Sequence, residues 1–269
     1  MKKQTALITG ASSGIGYELS KIFAKNGYNL VLIARSKSKL DHMKKKLEAQ
    51  YGNTTTVIVQ DMTREDAAEE IASVLDGYEI NVDILVNNAG FGDHTGFLDS
   101  DWNKQKHMVD LNITALIQMT YVFGTKMRRR GYGRILNLSS VAAFFSGPYM
   151  SIYYASKAFV LSFSEAVAEE LKGTGVTVTA LCPGPTTTGF EAAAEMKGSR
   201  MFTFAKPQKA AAVALAGYRA CMAGKPLRYS GRVTKFANIG ARISPRLVTR
   251  KIMKSINGVP KNEFLYPRP

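Results

Sequence analysis

A tyrosine and a lysine four residues apart, Tyr153 and Lys157 in the run Tyr153-Tyr154-Ala155-Ser156-Lys157, form a proton-transfer pair, because positions i and i+4 share one helix face. An isolated phenol, with a pKa near 10, is a poor acid or base at neutral pH; a neighbouring ammonium favours its ionised form and tunes it toward that duty. Thirteen residues before the tyrosine stands Ser140, just past the β-rich run 133–138, at a strand's C-terminal end, where open α/β sheets bind ligands. A hydroxyl there orients a carbonyl oxygen. Tyr154 and Ser139 depart from this spacing by one residue and receive neighbouring roles only. A Tyr-x-x-x-Lys by itself usually reads as a surface tyrosine on a basic helix, so the assignment rests on the surrounding motifs.

Those motifs begin at the N-terminus. The apolar run 4–9 leads straight into Thr9-Gly10-Ala11-Ser12-Ser13-Gly14-Ile15-Gly16, followed by a helix-like stretch over 17–26 and Gly27. Glycines at such a corner allow a tight turn and close approach of the backbone to a pyrophosphate, which then rests on the free N–H groups of a helix N-terminus. The spacing is G-x-x-x-G-x-G rather than G-x-G-x-x-G. The second strand ends Ile33-Ala34-Arg35-Ser36, with no acid to hold a ribose 2′-hydroxyl and with an arginine fork suited to a 2′-phosphate. NADP(H) is therefore expected over NAD(H). Runs 4–9, 29–34, 54–60, 83–87, 133–138 and 176–181 read as strands buried on both faces, separated by helix-length segments. The pattern predicts an α/β fold, a doubly wound parallel Rossmann-type sheet flanked by helices. One domain is expected over 1–235, with a substrate loop or lid at 184–207 and a basic C-terminal helical extension over 236–269.

With these residues assembled, the chain resembles the short-chain dehydrogenase/reductase family over residues 3–207, closest to its hydroxysteroid dehydrogenase and 3-ketoacyl reductase branches. Besides T-G-x-x-x-G-x-G and Y-x-x-x-K it carries Asn87-Asn88-Ala89-Gly90, Asp61 in Gln60-Asp61-Met62, Asn112 in Val109-Asp110-Leu111-Asn112, and Pro183-Gly184-Pro185-Thr186-Thr187-Thr188. The resemblance implies hydride transfer between NADP(H) and a carbonyl or secondary alcohol. It makes Tyr153 the proton donor, Lys157 the group that lowers its pKa and holds the nicotinamide ribose, Ser140 the carbonyl's partner and Asn112 a member of the proton relay. It implies cofactor contacts at Gly10, Ser12, Ser13, Gly14, Ile15, Gly16, Arg35, Asp61, Met62, Asn88, Ala89, Gly90, Tyr153, Lys157, Pro183, Gly184, Thr186 and Thr188. It also implies a homo-dimer or homo-tetramer built on the helices after Asn103 and Tyr153.

No charged residue lies between Ser139 and Ser156, and the lid adds Phe190, Met196, Met201, Phe202 and Phe204. Such walls suit a bulky hydrophobic, hydroxysteroid-like ketone, with Ser140, Ala142, Tyr149 and Phe190 expected on the substrate side. A 3-oxoacyl group on CoA or an acidic carrier protein is the alternative, and a non-catalytic NADP sensor the remote one. Of the net charge of +15, the segment 206–269 carries +13, from fourteen Lys and Arg against the single acid Glu263. So local an excess argues against nucleic acid and for an anionic ligand, acidic carrier or peripheral anionic surface, with a solvated basic face as the plain alternative. Within it, Ser244-Pro245 opens and Asn257-Gly258 closes a helix whose stripe Val248, Ile252 and Ile256, flanked by Arg246, Arg250, Lys251 and Lys254, is expected to pack on the domain. An anionic membrane and an acidic partner are its other candidate occupants. Cys182 and Cys221 read as plain buried thiols with no metal-ligand spacing. No apolar run approaches the roughly 20 residues of a bilayer span, and the start Met1-Lys2-Lys3-Gln4 leaves no room for a signal peptide. A cytoplasmic protein is expected.

Overall fold

A computed structural model describes residues 3–189 and 207–258. Seven parallel strands form its sheet in the order β3-β2-β1-β4-β5-β6-β9: β1 (Thr5–Thr9), β2 (Asn29–Ala34), β3 (Thr55–Val59), β4 (Ile84–Asn87), β5 (Gly133–Leu138), β6 (Val176–Pro183) and β9 (Leu227–Ser230). The first six fall on the six expected runs. The seventh, Leu-Arg-Tyr-Ser, lies at an edge with Arg228 exposed, and so lacks the continuous apolar signature of a strand covered on both faces.

The alternation of side chains along each strand sorts the core into two layers. Ala6 and Ile8 of β1 and Leu30 and Leu32 of β2 face helices α1 (Gly14–Lys25) and α2 (Lys37–Tyr51), together with α7 (Ala210–Met222). Leu7, Val31 and Ile33 face the other way, against α3 (Ala67–Gly77) and α5 (Ala115–Arg130), and Val167 and Ala168 of α6 (Ser151–Glu170) pack against the same layer. Helix α4 (Trp102–Val109) runs into α5 through a π-helical turn at Asp110–Thr114, which holds Asn112. Strand order reverses at β1, whose neighbours β2 and β4 diverge there, so a crevice opens above their C-terminal ends.

A two-residue parallel pair, β7 (Thr186–Thr187) with β8 (Gln208–Lys209), ties together the two ends of the expected lid. Phe190, Met196, Met201, Phe202 and Phe204 lie outside the described residues. Beyond β9, α8 (Arg232–Ile243) runs across position 235, so the expected start of the extension falls inside a helix. Helix α9 (Arg246–Asn257) begins after Pro245 and ends before Gly258, as the sequence predicts. Its packed face overlaps the expected stripe only at Ile256. Met253, Ile256 and Asn257 meet the domain, whereas Val248 and Ile252 are 47% and 52% exposed, because spacing identifies a stripe and not the neighbour it faces.

Candidate active site

The crevice over the sheet is a cavity of about 660 Å3. Helix α1 starts inside the glycine turn itself, at Gly14, with Ser13 as its N-cap making no side-chain cap, so its first N–H groups stay unmatched beside the cavity. Gly10 adopts φ +63°, and a Cβ there would lie 2.9 Å from the Ala89 Cα and from the Asn88 Nδ2. Asn88 clamps this turn: its Nδ2 donates to the carbonyls of Thr9 (2.9 Å) and Gly10 (3.1 Å), and the N–H groups of Asn88 and Ala89 both donate to the Thr9 hydroxyl at 3.1 Å. Gly14, at φ +56°, faces Thr188, whose side chain would be 3.3 Å from an added Cβ. The neighbouring Asn87 instead donates to Thr120 and Asn137 inside the core, which separates the two asparagines of the motif into a structural and a turn-holding member.

At one end of the cavity stand Arg35, Asp61, Met62, Thr63 and His107. The Asp61 carboxyl accepts from the Thr63 N–H and hydroxyl at 3.0 and 2.8 Å, bonds that hold its pKa below the usual range with help from the Arg35 and His107 charges. At the other end are Ser140, Tyr153 and Lys157. Ser140 caps the turn Val141–Phe144, its Oγ accepting from the Ala142 N–H at 3.1 Å, which fixes the hydroxyl beside the tyrosine. The Ser140 and Tyr153 hydroxyls are hydrogen-bonded. Lys157 Nζ donates to the Leu138 carbonyl at 2.9 Å and lies 5.8 Å from the centre of the Tyr153 ring.

Burial decides the protonation of both groups. It pushes the Tyr153 phenol up to about 12 against the opposing Ser140 bond, and pushes the Lys157 ammonium down to about 8. Desolvation is the largest influence on Tyr153 and the Ser140 bond the one that opposes it, so the phenol is protonated at neutral pH and the expected lowering by Lys157 does not figure in this geometry. Asn112 is buried and turned away from the cavity. Its Nδ2 donates to the Phe91 carbonyl (2.9 Å) and Ser156 Oγ (3.1 Å), while its Oδ1 accepts from the Phe91 N–H (3.1 Å), strapping the 90–91 segment to α6. Ser139 donates to the Lys157 carbonyl (2.9 Å), and Tyr154, 2% exposed, donates to Asn257 Oδ1 (3.0 Å), so both neighbours of the catalytic candidates hold the frame.

Of the remaining expected cofactor contacts, Gly10, Ser13, Ile15, Asn88, Ala89, Gly90, Pro183, Gly184 and Thr186 line the cavity, whereas Ser12 does not and Gly16 is buried behind the turn against Asn88. Ala142 lines it too. Tyr149 does not: at φ +66° it turns toward His94, with ring centres 6.4 Å apart, and its carbonyl accepts from the Thr95 N–H at 2.9 Å. Gln60, Phe91, His107 and Leu111 line the cavity without having been expected; no spacing rule marks them, since only the crossing of distant elements brings them there. Cys182 and Cys221 are buried free thiols, each pushed up to about 12 by burial.

A phosphate-ready turn, an acid and an arginine at one end, and a serine, tyrosine and lysine at the other form a single site, and residues 4–197 match the model of the short chain dehydrogenase family. The chain belongs to the short-chain dehydrogenase family. It is 40% identical to 17-beta-hydroxysteroid dehydrogenase type 3 from Mus musculus over 67% of this chain and 59% of that protein. It is 40% identical to very-long-chain 3-oxoacyl-CoA reductase from Anas platyrhynchos over 66% of this chain and 58% of that protein. The matched region thus spans about three-fifths of these relatives. A short-chain dehydrogenase from Sphingobium yanoikuyae in complex with NADPH superimposes with TM-score 0.79 at 30% identity, covering 89% of this chain and 93% of that one.

These relatives correct the expectation of a cytoplasmic protein. The 17-beta-hydroxysteroid dehydrogenase type 3 and very-long-chain 3-oxoacyl-CoA reductase enzymes are membrane-associated proteins of the endoplasmic reticulum. The absence of a long apolar run supported the opposite expectation, yet membrane association requires no span within a catalytic domain. Among the described residues no helix is long and apolar enough to cross a membrane.

Proposed function

We propose that this short-chain dehydrogenase is an NADP(H)-dependent oxidoreductase that interconverts a carbonyl and a secondary alcohol on a bulky hydrophobic substrate. The observation that carries the reading is the hydrogen-bonded Ser140 and Tyr153 hydroxyls beside Lys157, in the same cavity as the glycine turn. The turn fits a dinucleotide: α1 presents uncapped N–H groups with no acid in its first turn, and glycine at position 14 keeps the passage to Thr188 open. The Ser13 to Ile15 backbone would hold the pyrophosphate, Arg35 a 2′-phosphate, Asp61 the adenine edge, and Lys157 with Thr188 the nicotinamide half. The cofactor, when bound, supplies or accepts the hydride.

The chain's own residues do the rest. Ser140 donates to the substrate oxygen and aligns it. Tyr153, held protonated by burial, delivers the proton to that oxygen during reduction, and Lys157 supplies positive charge that stabilises the phenolate left behind. Asn112 acts by positioning, through Phe91 and Ser156. Ala142 and Met150 give the substrate end an apolar wall, in keeping with the hydroxysteroid named by the murine relative. A 3-oxoacyl thioester is the second reading, favoured by the exposed Arg246, Arg250, Lys251 and Lys254 on the helix that packs beside Tyr153, and by the avian relative. The complete Ser140, Tyr153 and Lys157 set weighs against a non-catalytic sensor. Exposed Trp102 and Tyr121, with the stacked Phe159 and Phe163, support a homo-oligomer through α4, α5 and α6.

The test is NADPH oxidation with steroid ketones, 3-oxoacyl thioesters and small ketones, with NADH in parallel. Tyr153→Phe should lower turnover by roughly 100-fold or more while NADPH binding, read by its fluorescence, is retained. Turnover that survives this substitution would refute the assignment.

A further inference from the structure

Helices α8 and α9 follow one another across Ser244-Pro245, and among the described residues none covers their outer surface. On α8, Phe236 (67% exposed), Ile239 (46%) and Ile243 (79%) lie at i, i+3 and i+7 on one face, while Thr234 and Asn238 on the opposite side are buried. On α9, which follows directly after Ser244-Pro245, Leu247 (56%), Val248 (47%) and Ile252 (52%) are exposed as well. Isolated exposed apolar residues need no explanation, but three on each of two consecutive helices are not isolated. Exposed Lys235, Arg246, Arg250, Lys251 and Lys254 lie on the same two helices, and no acidic residue occurs anywhere from 207 to 258.

We propose that the outer side of these two helices is a docking surface for an anionic phospholipid bilayer, which it enters by the exposed apolar residues and grips by the basic residues at its rim. Charge complementarity selects this occupant. A second copy of the chain would set one all-basic rim against another, an arrangement that like-charge repulsion opposes. An apolar stripe bordered by lysine and arginine without acids is the composition of helices that lie in the plane of a membrane interface. The inner side of the same helix gives docking a consequence. Met253, Ile256 and Asn257 pack on Tyr154, Met150 and Ala142, so one helix thickness, about 10 Å, separates the lipid-facing side from the wall beside Tyr153. If the cavity takes a hydrophobic substrate, as proposed above, α9 places the cavity next to the phase in which that substrate dissolves.

The experiment is co-sedimentation of the full chain with vesicles of phosphatidylcholine alone and of phosphatidylcholine with phosphatidylserine. Binding should be at least about tenfold tighter to the anionic vesicles and should weaken as salt is raised. The triple variant Ile243→Asp, Leu247→Asp, Ile252→Asp and the triple variant Arg250→Glu, Lys251→Glu, Lys254→Glu should each weaken it by about tenfold or more. Circular dichroism and melting should be unchanged, since all six side chains are exposed. Failure of the wild-type chain to pellet with anionic vesicles, or unchanged binding by both variants, overturns the proposal. A wild-type dimer in sedimentation velocity that the apolar variant breaks, without vesicle binding, assigns the face to a second copy instead. The readout involves no turnover, so its failure is separable from failure of the oxidoreductase reading.

Discussion

The end of α9 is fastened at one residue, which makes the fastening measurable. Asn257, fully buried, accepts the Tyr154 hydroxyl at 3.0 Å and donates to the Pro148 carbonyl at 3.1 Å, while its own carbonyl meets His94. Asn257→Ala leaves two polar groups, one of them on the 2% exposed Tyr154, without partners. An orphaned buried group costs about 1–3 kcal/mol, so the single substitution should cost about 2–4 kcal/mol. Tyr154→Phe removes the hydroxyl and orphans only Asn257 Oδ1, for about 1–2 kcal/mol. In the double variant the Tyr154 to Asn257 bond is gone from both ends and only the Pro148 carbonyl is stranded. The two single variants together strand three groups and the double variant one, so the effects should fall short of additivity by about 2–4 kcal/mol. Urea unfolding followed by circular dichroism at one protein concentration gives the four free energies, and hydrogen exchange of the α9 amides reports whether the loss is local. Additivity to within about 0.5 kcal/mol would falsify the claim that this bond carries the docking of α9. Because Met253 and Ile256 pack beside Tyr153, the loosened variants should raise KM more than they lower kcat.

Gly10→Ala places a Cβ 2.9 Å from the Ala89 backbone at φ +63°, so it should lower stability by about 2 kcal/mol or more and abolish NADPH binding in a fluorescence titration. Arg35→Ala should weaken NADPH by roughly 10- to 100-fold with little change for NADH, the worth of a charge-assisted bond to a phosphate; equal losses for both cofactors would remove Arg35 from that role. Lys157 titrates near 8 in the folded chain against an ordinary value of 10.5, so between these values the unfolded chain binds more protons. Stability should thus gain about 3 kcal/mol from this group as pH rises through that window, a gain that melting curves of Lys157→Met should lack.

Strands β1, β2, β4, β5 and β6 were legible because they are almost wholly buried and rich in Val, Ile and Leu, and the half-buried edge strand β3 because it keeps the β-branched run Val57-Ile58-Val59; β9 was not, since Leu-Arg-Tyr-Ser is short, at the other edge and has Arg228 in solvent. The convergence of Gly10, Arg35, Ser140, Tyr153 and Lys157 was legible because each lies at a strand end or on a helix that starts there. Tyr149 was not, because its positive φ turns the ring away from the cavity toward His94, and φ is not written in residue type outside glycine. The same limit hid the contact of His94 and Tyr154 with Asn257, partners 163 and 103 residues apart.

What the α9 stripe teaches is more specific. An i, i+4 pair such as Val248 and Ile252 marks an amphipathic helix, and the natural inference is that the apolar side faces the core. Here the domain already has a core, closed by the two helical layers, and α9 touches it through one methionine, one isoleucine and one asparagine. A face that is apolar but left outside has been given to some other phase or partner. The all-basic rim limits which, since neither a bare hydrocarbon surface nor another copy of this chain matches fourteen cations set against one acid over 206–269. The charge asymmetry of the sequence and the outward-facing Val248 and Ile252 of α9 are thus two expressions of one property, and a membrane interface is the environment that satisfies both.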